Sequence, residues 1–159
     1  MSTIIRYRKV KKYKYQLLES CSFNIDIHPE KDIFVPSKPG RAFIYLSSGG
    51  RLTIFSGYAW NGTGGAVIET TNFMRASLVH DALYQLMRRR AISEDFRLYA
   101  DTLLRTMCRK DGMNSLGAWC VYCVARWFGE TAALPYERKE GNIIMEPLKT
   151  ETAIYDLQH

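Results

Sequence analysis

Four side chains near the middle of the 159-residue sequence have the types and spacing to move a proton: His80, Asp81, Tyr84 and Asp101. Phe73, Ala76, His80, Leu83, Tyr84 and Met87 recur at three- and four-residue steps, which is one face of a helix. His80 therefore sits in an apolar stripe, with Tyr84 one turn further along the same side. Asp81 is rotated from His80 by about 100°. Asp101 falls among Leu98, Ala100 and Leu104 on the next helix, where a carboxylate is costly unless it is paired. The short turn Arg90 to Ser93 predicts an antiparallel helix pair, which brings Asp101 back towards His80. A carboxylate bonded to an imidazole fixes its tautomer and supports its cation, so the imidazole can act as a general base. Asp81 projects beside it, where it could hold a metal ion. The same pattern also describes a core histidine held by one hydrogen bond and doing no chemistry.

The elements that must position these residues divide by period. Residues 1–58 are rich in strand and turn signals, at Tyr13 to Leu17, Cys21 to Ile27 and Ile33 to Val35. The clearest is a hairpin, Ala42 to Leu46 and Leu52 to Phe55 around Ser47-Ser48-Gly49-Gly50. Tyr7, Lys9, Lys11, Tyr13 and Tyr15 alternate as a strand with one aromatic face would. A glycine-rich loop at 57–65 follows, built around Trp60 and Asn61. Three helices then occupy 70–129. The first is capped near Thr70 to Asn72 and runs to about Arg89. The second is capped by Ser93, with Glu94 and Asp95 in its first turn, and ends near Lys110. The third runs from Asn114 to Phe128, with Gly129 as its C-cap. Residues 130–159 form an irregular tail. The fold class is α+β: an N-terminal β-hairpin and strand region, then three helices, all in one domain spanning 1–159.

Composition narrows the class. The chain is 47% hydrophobic and 24% charged, which excludes a disordered chain or a fibre. Its net charge of +6 favours an anionic partner: an acidic membrane surface, nucleic acid or an acidic protein. Arg6, Arg8, Lys9, Lys11, Lys12 and Lys14 crowd one end, and read first as lysines decorating a strand edge. Arg88 to Arg90 complement a helix C-terminus. Arg75 and Arg97 lie inside helices near the histidine, placed for an ion pair with Asp81, a lipid phosphate or a surface carboxylate. Cys21, Cys108, Cys120 and Cys123 read as reduced and structural. Trp119, Tyr122, Ala125, Trp127 and Phe128 read as the core face of the third helix. There is neither an apolar run long enough to span a bilayer nor a secretory leader pattern.

His80-Asp81-Ala82-Leu83-Tyr84 resembles the His-Asp-x-x-Tyr signature of phospholipase A2. Trp60-Asn61-Gly62-Thr63-Gly64-Gly65 resembles that family's calcium loop. The placing of Ala100-Asp101 after it is similar to the short spacing in parvovirus capsid phospholipase domains. More of the chain, roughly residues 50 to 128, resembles an uncharacterised domain family of bacteriophages and prophages. The residues concerned are Tyr58 to Gly62, Arg75 to Tyr84, Arg97 and Ala100-Asp101.

The phospholipase resemblance implies a phospholipase-A2-like helix pair. It implies His80 as general base, Asp101 orienting it, and Tyr84 donating to that carboxylate. It also implies Ca²⁺ held by the Asp81 side chain and the backbone carbonyls of Trp60, Gly62 and Gly64. Where secreted members carry a disulfide, at Leu83, this chain has none. Three functions are compatible with these observations. The first is a phage-type hydrolase of phospholipid esters at an anionic membrane surface. The second is a non-enzymatic virion or accessory protein, partnered by other virion proteins, whose His–Asp network is structural. The third is a nucleic-acid-binding protein. The implied location is the host cytoplasm or the virion.

Overall fold

Alternating apolar residues build the strands of the N-terminal part. The computed structural model of the chain describes residues 4–11, 13–38, 41–62 and 70–129. Among them, β1 (Tyr7–Lys9), β2 (Tyr15–Leu17) and β7 (Ala59–Trp60) form one antiparallel sheet in the order β1-β2-β7. A second antiparallel sheet contains β3 (Cys21–Asn24), β4 (Ile33–Lys38), β5 (Arg41–Leu46) and β6 (Arg51–Ile54), in the order β3-β6-β5-β4. The expected hairpin is β5–β6. Its register pairs Ile44 with Ile54 and Leu46 with Leu52, all fully buried. Gly50 closes the turn at φ +79°, where a Cβ would collide with the Ile25 carbonyl.

The alternating tyrosines do not share one strand. The chain reverses between them, with the Val10 amide donating to the Lys14 carbonyl, and β1 pairs with β2. Tyr7 and Tyr15 therefore meet edge to face, centroids 5.5 Å apart, and both pack on the ring of Trp60. Alternation fixes the facing of residues but not where a turn interrupts them. β1 lies at the sheet edge with Arg8 and Lys9 exposed, as the edge-lysine reading requires. β4 runs past Pro36 through a register shift, tolerated because β4 is also an edge strand.

Three helices follow: α1 (Thr71–Arg88), α2 (Arg97–Lys110) and α3 (Ser115–Phe128). α1 is the centre of the molecule, with twelve of its eighteen residues buried, so more than one face meets protein. Thr70 takes the N-cap position in extended geometry, but its side chain makes no capping hydrogen bond. Glu94–Phe96 form a 3₁₀ turn ahead of α2, with Ser93 accepting from the Asp95 amide. Asn114 caps α3 by accepting from the Gly117 amide at 2.7 Å. α1 and α2 run antiparallel, since Arg75 pairs with Asp111 while His80 and Tyr84 pair with Asp101. One continuous cluster of buried side chains joins both sheets to the three helices.

The ends of α1 and α2 use the same device. Ala91 N bonds Leu86 O and Arg90 N bonds Met87 O; Met113 N bonds Cys108 O and Gly112 N bonds Arg109 O. Both are Schellman closures, which need one residue in the left-handed region. Gly112 fills that position at φ +95° after α2, but Arg90 fills it at φ +55° after α1. An L side chain there costs about 1 kcal/mol relative to glycine. Arg90→Gly is therefore expected to raise the thermal unfolding midpoint, by about 0.5–1 kcal/mol of stability. A calorimetric comparison with wild type, in which Arg90→Gly lowers the midpoint, would refute this account of the turn.

Candidate active site

Asp101 is fully buried in the interior of α2, so its carboxylate has to be satisfied by protein. Three side chains do so. His80 Nε2 lies 2.8 Å from Oδ1, the Tyr84 hydroxyl donates to the same oxygen at 2.7 Å, and Arg126 Nη1 donates to Oδ2 at 3.0 Å. α1 supplies the first two from one face, a single turn apart, and α3 supplies the third. The His80 and Tyr84 rings also stack, with centroids 4.1 Å apart.

An ionised carboxylate only accepts, so the proton of this bond sits on His80 Nε2. In the neutral imidazole, Nδ1 is then the basic nitrogen. Nδ1 faces Asp81, whose Oδ1 is 4.0 Å away. Burial pushes the His80 pKa down, but the hydrogen bond to Asp101 and the nearby Asp81 carboxylate outweigh it, and the net shift is upward. For Asp101, burial pushes the pKa up, yet the hydrogen bonds from His80, Tyr84 and Arg126 hold it below the ordinary carboxylate value. Burial and the Asp101 carboxylate together raise the Tyr84 phenol, so it remains a donor.

The glycine-bearing segment reaches the same place. The Trp60 indole donates to Ser77 Oγ at 3.1 Å, and the Asn61 amide donates to Asp81 Oδ2 at 3.2 Å. Ser77 and Asp81 are four residues apart on α1, so the segment is fastened along one side of the helix. Gly62 follows at φ +65°, a conformation that suits glycine. Trp60 and Gly62 therefore flank a residue bonded to Asp81, while Gly64 lies outside the described residues. Among the described residues no three His, Cys, Asp or Glu side chains cluster as a metal site. The Trp60 carbonyl shares a trans peptide with the Asn61 N–H that bonds Asp81, so it points away from that carboxylate and does not fit the expected role of ion ligand. An ion at Asp81 would draw on the carboxylate and on other backbone carbonyls, the oxygen ligands a hard cation takes.

His80, Tyr84 and Asp101 are in direct contact, and Asp81 lies beside them. Arg126, Ser77 and Gly129 also belong to the site and were not foreseen. Arg126 is the lone charged residue from Ser115 to Gly129, and a single cation in an apolar helix points to a buried anion. Gly129 is needed for space, because a Cβ there would strike the Tyr84 hydroxyl and the Ala125 carbonyl. Its φ of −81° shows that no left-handed cap is involved. Arg75 forms a two-pronged pair with Asp111, away from Asp81, and Arg97 donates to the Arg126 carbonyl, tying α2 to α3.

Two expectations about α3 and its neighbour are overturned. Trp119, Trp127 and Phe128 are exposed, and the face turned inward is Ala118, Val121 and Ala125. Leu98, expected in the apolar stripe of α2, is 55% exposed. Burial raises the Cys21 thiol to about 11 and the Cys108 thiol to about 12, so both stay protonated and structural; Cys120 is exposed.

Arg126→Met is expected to cost about 1–3 kcal/mol, because it leaves a buried carboxylate oxygen without its donor. The network also sets a pH window. The depressed Asp101 contributes stability above the ordinary carboxylate pKa of 3.8 and loses it as the pH falls through its lower folded value. The raised His80 contributes below 6.5 and loses it as the pH rises through its higher folded value. Denaturant titrations should find this contribution, as the difference between wild type and Asp101→Asn, largest between those limits and smaller on either side. A difference that does not vary with pH would contradict the assignment. Comparison with family models, with curated proteins and with solved structures gives no match to this chain.

Proposed function

We propose that the chain is a phage-type, phospholipase-A2-like hydrolase that cleaves the ester bond of membrane phospholipids. One observation carries the reading: Asp101 holds the Nε2 proton of His80, which leaves Nδ1 as a base directed at Asp81 and the Asn61 segment. The motif resemblance at His80-Asp81 and Tyr84, at Trp60 to Gly65 and at Asp101 supports the same chemistry.

In this reading His80 Nδ1 takes a proton from the water that attacks the ester carbonyl. Asp101 stabilises the resulting imidazolium, and Tyr84 and Arg126 keep Asp101 ionised and oriented. His80 then returns the proton to the departing alkoxide as the acyl C–O bond breaks. Asp81 and the carbonyls of Gly62 and Gly64 would hold Ca²⁺, which supplies polarisation of the ester carbonyl when bound. The Trp60 carbonyl, turned away from Asp81, would not be among the ligands. The positive charge of the chain favours an anionic bilayer as the surface on which it acts. Action in the host cytoplasm or from the virion belongs to the same proposal; no helix among the described residues is long and apolar enough to cross a membrane.

A second reading has its own support. The His80 side chain is only 10% exposed, as in a network that specifies helix packing without turnover. In that case the chain is a virion or accessory protein.

Fatty-acid release from anionic phospholipid vesicles separates the two. Wild type is expected to require calcium, and His80→Gln to reduce release by about 10²–10⁴-fold. Because His80 must be neutral to accept a proton, kcat/KM should climb with pH and level off as the imidazole loses its proton. Folded wild type that releases no fatty acid at any calcium concentration supports the structural reading and removes the hydrolase.

A further inference from the structure

α3 has two apolar faces, and only one is used among the described residues. Ala118, Val121 and Ala125 are buried, and Arg126 reaches sideways to Asp101. At 100° per residue, Leu116, Cys120, Cys123 and Trp127 lie on the opposite side, within about 60° of one another. Leu116 is 70% exposed and Trp127 73%, with Trp119 on one flank also exposed. A helix that is apolar all round is normally covered on all sides.

We propose that this stripe is the interface of a two-fold dimer, in which α3 packs antiparallel against α3 of a second copy. The spacing of the stripe carries the argument. Its residues are separated by four, three and four positions, a sequence that reads the same in both directions. A two-fold axis between Cys120 and Cys123 therefore sets Leu116 against Trp127 of the second copy at each end. It sets Cys120 against Cys123 of the second copy twice in the middle. Large residues at the ends and small ones at the centre let two helices approach closely, and each contact is made twice, as an isologous interface requires. The exposed side chains of this face offer on the order of 500 Å² per copy, less than the roughly 800 Å² per partner of a standard interface and in the range of a weak, reversible dimer. Charge does not oppose the pairing. Arg126 is the single charged residue of the helix, is already bonded to Asp101, and sits about 13 Å along the axis from its symmetry mate. A bilayer is a poorer occupant, because interfacial helices carry several Lys or Arg along their polar side.

Sedimentation equilibrium and thiol cross-linking of the full chain test this. The expected mass is twice 18.3 kDa at micromolar concentration. Trp127→Glu and Leu116→Glu should each give the single-chain mass with unchanged circular dichroism. Under copper–phenanthroline, wild type should cross-link into a disulfide-bonded dimer. Cys120→Ser alone and Cys123→Ser alone should not, and an equimolar mixture of those two variants should regain one cross-link. A single-chain mass at every concentration overturns the proposal. It does so equally if Trp127 is then shielded from a collisional quencher by residues 130–159, or if the chain sediments with anionic vesicles as a monomer. A cross-link that survives in either single variant overturns the antiparallel arrangement.

Discussion

A carboxylate with no access to water must be bonded on every side, and Asp101 imposes that demand on the whole helical half of the molecule. Desolvating it costs on the order of several kcal/mol, which only close, well-aligned donors offset. Two donors come from α1 and one from α3, so the position of α2 is fixed relative to both. Gly129 belongs to the same constraint. A side chain there would displace the Tyr84 hydroxyl, and with it one of the three bonds.

The constraint has a chemical consequence. By accepting from Nε2, Asp101 selects the tautomer of His80 and directs the basic nitrogen towards Asp81. The sheet supplies the other wall of the site. β7 ends at Trp60, whose ring is wedged against Tyr7 and Tyr15 and whose N–H is bonded to Ser77. From that anchor the next amide reaches Asp81. The strand half of the chain thus delivers the glycine-bearing segment, and the helical half delivers the base.

Much of this could be read from residue order, for identifiable reasons. His80 and Asp101 interrupt apolar periodicity, and polar groups that do so must find each other if a short turn joins their helices. The β5–β6 hairpin was legible because its turn demands glycine. Where the reading failed, the signal was degenerate. α3 is apolar on every side, so periodicity cannot say which face turns inward; small Ala118, Val121 and Ala125 allow close approach to α2, and the large rings point out. Alternation of Tyr7, Tyr13 and Tyr15 continues across a reversal that carries no Gly or Pro to mark it. Arg126 was detectable in principle as an isolated cation, but its partner lies 25 residues away on another helix. Thr70 shows the opposite case: a favourable cap residue whose side chain is not used.

The ionisation geometry of His80 is the centre of the account, and it can be observed without any substrate. Long-range ¹H–¹⁵N NMR of the imidazole distinguishes its two neutral tautomers. The structure predicts a neutral form with the proton on Nε2, in slow exchange because Asp101 accepts it, and a bare Nδ1. A proton on Nδ1, or an Nε2 proton that exchanges as freely as that of the exposed His28, would contradict it.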